Sequence, residues 1–300
     1  MNPAIKTRNS LGSRSRPARV TTGFFAAALC LSLTASPIHA GEFSDFMNMK
    51  FVDIPAGNFL MGSCQAMAAT DKNHASGGCS GADLDALVNE VPQHQVSVPG
   101  FQMSKTEVTL GQFKRYIIAT NNLDLVTDDF MKHNANGDDA PVVYVSWNEA
   151  KTFIAWLNKN KPANDHGTYR LPFEAEWEYA CRAGGNHTYC GGNNADAVAW
   201  HKANSGGHQH PVSRKNANGF GLYDMSGNAW EWVEDCYHDN YDGAPADGGA
   251  WTTPCSKSGR VLRGGSWSND AKTLRTAIRI NATSVIRSGN IGFRIVRIPP

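Results

Sequence analysis

Three groups of residues in this 300-residue chain have types and spacings that could do chemistry. The first is Gly219 to Trp232, read as Gly-Phe-Gly-Leu-Tyr-Asp-Met-Ser-Gly-Asn-Ala-Trp-Glu-Trp, which has neither the period of a strand nor that of a helix. Its glycines permit sharp turns, and Tyr223, Trp230 and Trp232 supply large apolar anchors, so it reads as a tight, packed, irregular loop. The side chains of Asp224 and Glu231, with the carbonyls of Gly227 and Ala229, would offer clustered hard oxygens of the kind that suit Ca2+. The alternative is a core loop whose carboxylates pair with arginine or with backbone amides.

The second group is Glu174, Glu176 and Glu178, at the start of a helix expected over about residues 172–183, with Pro172 in its first turn and Gly184 as terminator. Paired carboxylates invite an acid/base reading, but nothing nearby would raise their pKa. A solvated helix face favoured by the macrodipole is the expectation. The third group is His201, His208 and His210, an imidazole cluster that could hold Fe, Cu or Zn. A Gly-rich surface loop with incidental histidines is the reading adopted. Ser63, Ser146 and Ser266 have no His and Asp arrangement that would mark a nucleophile.

The elements that must position these groups are short. Phe51 to Ser63 holds two apolar runs around Pro55-Ala-Gly-Asn58 and reads as a β-hairpin, and His94 to Val98 alternates as a strand with Val96 and Val98 on one face. Cys64 to Val88 reads as a long surface loop. Thr109-Leu-Gly-Gln112 and Ser146-Trp-Asn-Glu149 are capping boxes. They predict two amphipathic helices, one burying Phe113, Tyr116 and Ile117, the other Ala150, Phe153, Ile154 and Leu157. Asn121 to Asp139 is polar and reads as a connecting loop.

Residues 1–40 read as a signal peptide. Lys6, Arg8, Arg14, Arg16 and Arg19 precede the apolar run Phe24 to Leu33, and a small-residue cleavage site ends at Ala40. With the five leader cations removed, 23 Lys and Arg face 27 Asp and Glu, a net charge of −4 against +1 for the whole chain. A mildly acidic body with no basic run argues against nucleic acid as a partner. Residues 41–300 read as one domain, soluble after signal removal and periplasmic or secreted. The six remaining cysteines, Cys64, Cys79, Cys181, Cys190, Cys236 and Cys255, suggest disulfides in an oxidising compartment. Pairing in sequence order is the economical assignment.

Seven motifs occur in the order found in formylglycine-generating enzymes. They are Phe59-Leu-Met-Gly-Ser63, Glu107-Val-Thr109, Val145-Ser-Trp147, Arg170-Leu-Pro172 with Glu174-Ala-Glu-Trp-Glu-Tyr179, Gly221 to Trp232, Arg260-Val-Leu-Arg-Gly-Gly-Ser-Trp267 and Gly292-Phe-Arg294. Over nearly all of residues 50 to 297 the chain resembles that sulfatase-modifying-factor family. The resemblance implies an α+β, C-type-lectin-like fold, loop-rich with little regular secondary structure. It also implies structural Ca2+ at Asp224, Gly227, Ala229 and Glu231. Phe173 stands where the family usually has a helix-capping Thr.

Activity is where the sequence departs from the family. The oxidase needs two cysteines shortly after Gly-Gly-Ser to bind Cu(I). Here Asn269 and Leu274 stand near those positions, and the last cysteine of the chain is Cys255. No copper is expected, and copper-dependent formylglycine generation is not the expected activity. The leading expectation is an exported binding or regulatory module that recognises a peptide, protein or small ligand. Its candidate cleft comprises Trp267, Asn269, Asp270, Arg275 and Arg279, since Trp and Arg suit such surfaces. For Arg279 and Arg294, structural pairing with core acids is the favoured role. The alternative is a periplasmic maturation oxidoreductase acting on an exported peptide or siderophore precursor through a non-cysteine site.

Overall fold

The computed structural model describes residues 42–64, 83, 85–255 and 259–300, all within one compact unit. Capping chemistry sets the helices. Thr109 Oγ1 accepts the Gln112 N–H at 3.3 Å and Gln112 Oε1 accepts the Thr109 N–H at 2.9 Å, opening α1 (Leu110–Thr120). A second short helix, α2 (Asp128–His133), lies inside the stretch expected to be loop. Thr127 Oγ1 caps it by accepting the Phe130 N–H, and Asp128 and Asp129 occupy the first turn, where the helix dipole favours acids. The Ser146–Glu149 box opens α3 (Trp147–Asn160). Its expected stripe is buried, and Phe153 meets Phe113 of α1 at 5.5 Å between ring centroids.

Eleven strands are present among the described residues: β1 (Glu42–Ser44), β2 (Lys50–Ile54), β3 (Gly57–Met61), β4 (His94–Val98), β5 (Phe101–Ser104), β6 (Thr168–Arg170), β7 (Trp230–Cys236), β8 (Arg260–Arg263), β9 (Arg279–Ala282), β10 (Ile291–Phe293) and β11 (Val296–Ile298). They form a sheet of order β1-β2-β5-β11-β6, a sheet of order β10-β7-β8-β9 and the pair β3-β4. The two runs around Pro55 are strands, but they do not pair with each other. β2 pairs with β1 and β5, and β3 with β4. The Pro55-Ala56 corner carries the chain from one sheet to the other, so the local hairpin gives way to the downstream partners β5 for β2 and β4 for β3. Val96 and Val98 are buried as expected.

The acidic helix is α4 (Glu174–Arg182). Its expected solvated face is absent: Glu174, Glu176 and Glu178 are all buried. Each is met by arginine. Arg279 grips Glu174 through Nε and Nη2 at 2.7 and 2.8 Å, and Arg170 grips Glu176 at 2.6 Å on both oxygens. Glu178 lies between Arg182 and the fully buried Arg263. Trp177 of the same helix donates its indole N–H to Glu231 on β7 at 2.7 Å. The helix thus joins both larger sheets through charge-assisted hydrogen bonds in a region where an unmatched charge would be costly. Phe173 makes no side-chain cap; its ring instead covers the Arg170 guanidinium at 3.7 Å, while Glu176 accepts the Phe173 N–H. The last short helix is α5 (Ala195–Val198).

Two of the expected disulfides are present, Cys181–Cys190 at the end of α4 and Cys236–Cys255 at the end of β7. Cys64 is also disulfide-bonded, and Cys79, its expected partner, lies outside the described residues, as does most of the expected surface loop.

Asp235 pins β7 to the start of α4: Oδ2 accepts the Glu174 N–H and Oδ1 the Trp251 N–H, both at 2.7 Å. Burial, reinforced by the Glu174 charge, pushes its carboxyl up to about 7. The folded state therefore holds this proton more tightly than the unfolded chain does. The stability it contributes is complete in acid and is lost as pH rises from about 4 through about 7. Urea unfolding at stepped pH should show this decline in the wild type, and Asp235→Asn should flatten it whatever its offset in stability. A second expectation concerns the ion pairs of α4. Glu178→Gln removes the hydrogen-bonded anion of Arg263, leaving it only Glu174 at 3.8 Å, and should lower unfolding free energy by about 3 kcal/mol in denaturant titration.

Candidate calcium loop and binding cleft

Gly219 to Trp232 is the irregular buried loop that its composition implies, running into β7. Asp224 and Asn228 have φ of 57° and 59°, and Gly227 has φ of 81°. A Cβ on Gly227 would strike the Trp200 carbonyl, so only glycine fits there. Asn228 fastens the loop to its surroundings. Its N–H donates to Trp200 O, its side-chain oxygen accepts the His210 N–H, and its carbonyl accepts the Trp267 N–H.

The two expected carboxylates differ in their partners. Glu231 takes Arg294 Nε on Oε2 and Nη2 on Oε1, both at 2.7 Å, in addition to the Trp177 indole. This is the arginine pairing weighed for the loop and favoured for Arg294. Asp224 accepts only the Ser213 N–H, at 2.8 Å on Oδ2. Its Oδ1 is buried without a partner.

A third carboxylate that sequence reasoning did not single out lies beside them. Glu107 is 1% exposed, and neither of its oxygens has a hydrogen-bond partner. The backbone stitches it in place. Tyr223 N–H donates to Lys105 O and Val108 N–H donates to Phe293 O, both at 2.9 Å, so the 105–108 turn is tied to the loop on one side and to β10 on the other. Burial, then the charges of Asp224 and Glu231, hold Glu107 well above the usual carboxylate range, and burial pushes Asp224 up to about 6. Three carboxylates share this region with the single guanidinium of Arg294. The only sequence signal for Glu107 was its place in Glu107-Val-Thr109.

Among the described residues no three His, Cys, Asp or Glu side chains are arranged to hold a metal by themselves, so any cation here would also need backbone oxygens. The carbonyls of Gly227 and Ala229 accept none of the described hydrogen bonds. Carboxylate oxygens short of partners, with unused carbonyls in the same loop, are the donor chemistry that fits Ca2+.

The five residues of the expected cleft do not share one surface. Trp267 donates its indole N–H to Gly289 O, Asn269 Oδ1 accepts from Ser266 N and Oγ, and Asp270 is exposed near Lys202. Arg279 is fully buried on Glu174 and also donates to Asn89 O and His238 O. Arg275 pairs with Glu90 and Asp83 and lines a cavity of about 640 Å³ with Asn58, Phe59, Tyr179, Arg182 and His187. Arg182 is held on Glu178 and Gly62 O through Nε and Nη2, and Nη1 takes no part in these bonds. Phe59 and Tyr179 form an aromatic wall with centroids 5.4 Å apart.

The three histidines have separate roles. His201 Nε2 lies 2.8 Å from Asp196, and the His210 ring is stacked between Trp200 at 3.7 Å and His208 at 4.7 Å. Stacking and hydrogen bonding account for their proximity.

Residues 39–299 match the sulfatase-modifying factor enzyme 1-like domain. The chain belongs to this sulfatase-modifying factor family. The formylglycine-generating enzyme of Mus musculus is 28% identical over 306 residues, covering 82% of this chain and 74% of that protein. The Mus musculus protein named inactive C-alpha-formylglycine-generating enzyme 2 is 34% identical over 176 residues, 52% of this chain and 48% of that protein. The solved structure of PvdO from Pseudomonas aeruginosa has a TM-score of 0.70 at 29% identity, covering 88% of this chain and 100% of that one. Treponema denticola variable protein 1, with a TM-score of 0.63 at 24% identity over 88% of this chain and 100% of that one, shares the fold. The loop-rich α+β architecture of this family member is thus the one its motifs imply.

Proposed function

We propose that this chain is an exported, non-catalytic member of the family, stabilised by Ca2+ at the Asp224 loop, that binds a peptide, protein or small ligand. The observation that carries this reading is the absence of any cysteine beyond Cys255. Where the oxidase chemistry calls for thiolates, Asn269 is occupied with Ser266, and Leu274 is fully buried. Neither side chain can bind Cu(I) as a thiolate does. The mouse relative named inactive supports the idea that this fold persists without that activity.

Export is supported by the basic and apolar leader and by the disulfides, which persist in oxidising compartments such as the periplasm or the cell exterior. Among the described residues no helix is long and apolar enough to cross a membrane. For the binding site, the support lies in the cavity at Arg275, whose volume falls in the range of small-ligand sites. Its aromatic wall and its two guanidiniums suit a ligand that joins an apolar ring to a hydrogen-bond acceptor.

One experiment tests both halves. Mature protein is incubated with Cu(I), oxygen and a cysteine-containing peptide, and the peptide is followed by mass spectrometry. The same preparation is examined by ligand-observed NMR with small aromatic carboxylates. The reading expects unchanged peptide, together with saturation transfer that weakens in Phe59→Ala. Conversion of the cysteine to formylglycine would overturn the non-catalytic half and turn attention to the maturation oxidoreductase. Equal transfer in wild type and Phe59→Ala would remove the cavity from the binding site.

A further inference from the structure

We infer that Glu107 is a calcium ligand, acting with Asp224 Oδ1, while Glu231 serves chiefly as the anion of Arg294. The inference rests on the calcium reading of the Asp224 loop and changes which side chains carry it.

The argument is one of matched charge. Five buried glutamates of the core, Glu90, Glu174, Glu176, Glu178 and Glu231, each meet an arginine. Two buried aspartates, Asp45 and Asp235, accept pairs of backbone N–H groups instead. Glu107 has neither an arginine nor another residue's N–H on its oxygens, at 1% exposure. Leaving a buried carboxylate in that state costs several kcal/mol, and protonation alone would still leave its O–H and carbonyl without partners. Arg294 bears on both acids but is committed elsewhere: its Nε and Nη2 are on Glu231, with Nη2 also on Tyr223 O, and its Nη1 donates to Ser104 O.

The remaining bare oxygen of the region is Asp224 Oδ1. The Tyr223 N–H bond to Lys105 O holds the two segments together, and the Val108 N–H bond to Phe293 O anchors the Glu107 turn on β10, each next to one of these acids in sequence. Two carboxylates with no ion-pair contact of their own, in the same loop region as the unused carbonyls of Gly227 and Ala229, offer an all-oxygen donor set for a hard divalent cation. Glu231 keeps a lone pair on Oε1, but its orientation is fixed by Arg294 and Trp177. Its loss would therefore damage the fold with or without calcium.

The test compares wild type, Glu107→Gln and Asp224→Asn, measuring thermal midpoints in EDTA and across a CaCl2 titration, with calcium affinity from calorimetry. The inference expects calcium to raise the wild-type midpoint. In EDTA, Glu107→Gln should be at least as stable as wild type, because an unmatched charge has been removed. Calcium affinity should fall at least about 100-fold in both variants, as loss of a direct ligand exceeds the usual effect of an outer-shell change. A wild-type calcium response retained in full by Glu107→Gln would overturn the role of Glu107 and leave the calcium loop standing. No response in wild type would overturn the calcium reading itself. Failure of Glu107→Gln to fold in EDTA would show its charge to be needed by the apo fold, and would also overturn the inference.

Discussion

Buried carboxylates must be matched, and the fold depends on how this chain matches them. Arg263, Arg279 and Arg294 are fully buried, and all three are ion-paired with glutamates on α4 or β7. A protein with short strands and brief helices has few long ladders to hold its layers in register. Bidentate guanidinium pairs supply that register instead, because their geometry tolerates little displacement. Such pairs add less net stability than their number suggests, since desolvation offsets much of the Coulomb attraction. Their effect is to make wrong arrangements costly, each misplaced strand leaving a charge alone.

The same rule gives the Asp224 loop its character. Where arginines are present the acids are satisfied, and where they run out Glu107 and Asp224 remain with bare oxygens and raised pKa values. The cavity at Arg275 lies elsewhere on the fold, lined from β3, the end of α4 and the segment after the 3-10 turn Ala271–Leu274. Binding chemistry and cation chemistry would thus be separate in this member of the sulfatase-modifying factor family, with the ion pairs as the common frame.

Much of this was legible in the sequence where the determinants are local. The capping boxes at Thr109 and Ser146 specify helix starts within four residues, and the cysteines that pair in the described structure are 9 and 19 residues apart. Where partners come from afar, the pattern was silent. Glu174 meets Arg279 across 105 residues, so three closely spaced acids read as a surface although they are core. β2 found β5 rather than β3 for the same reason. The expected cleft failed to assemble because residues 267 to 279 pass through a turn that sends Trp267 and Arg279 to different partners. Glu107 offered no spacing signal at all, because its meaning lies in what its surroundings lack.

The most direct measurement of this account is a crystal structure of the mature chain grown with calcium, with anomalous difference maps recorded to locate the ion. The account predicts one peak bounded by Glu107 and Asp224 Oδ1, with Arg294 still bidentate on Glu231. A loop free of anomalous signal, with Glu107 turned onto Arg294 in place of Glu231, would contradict it.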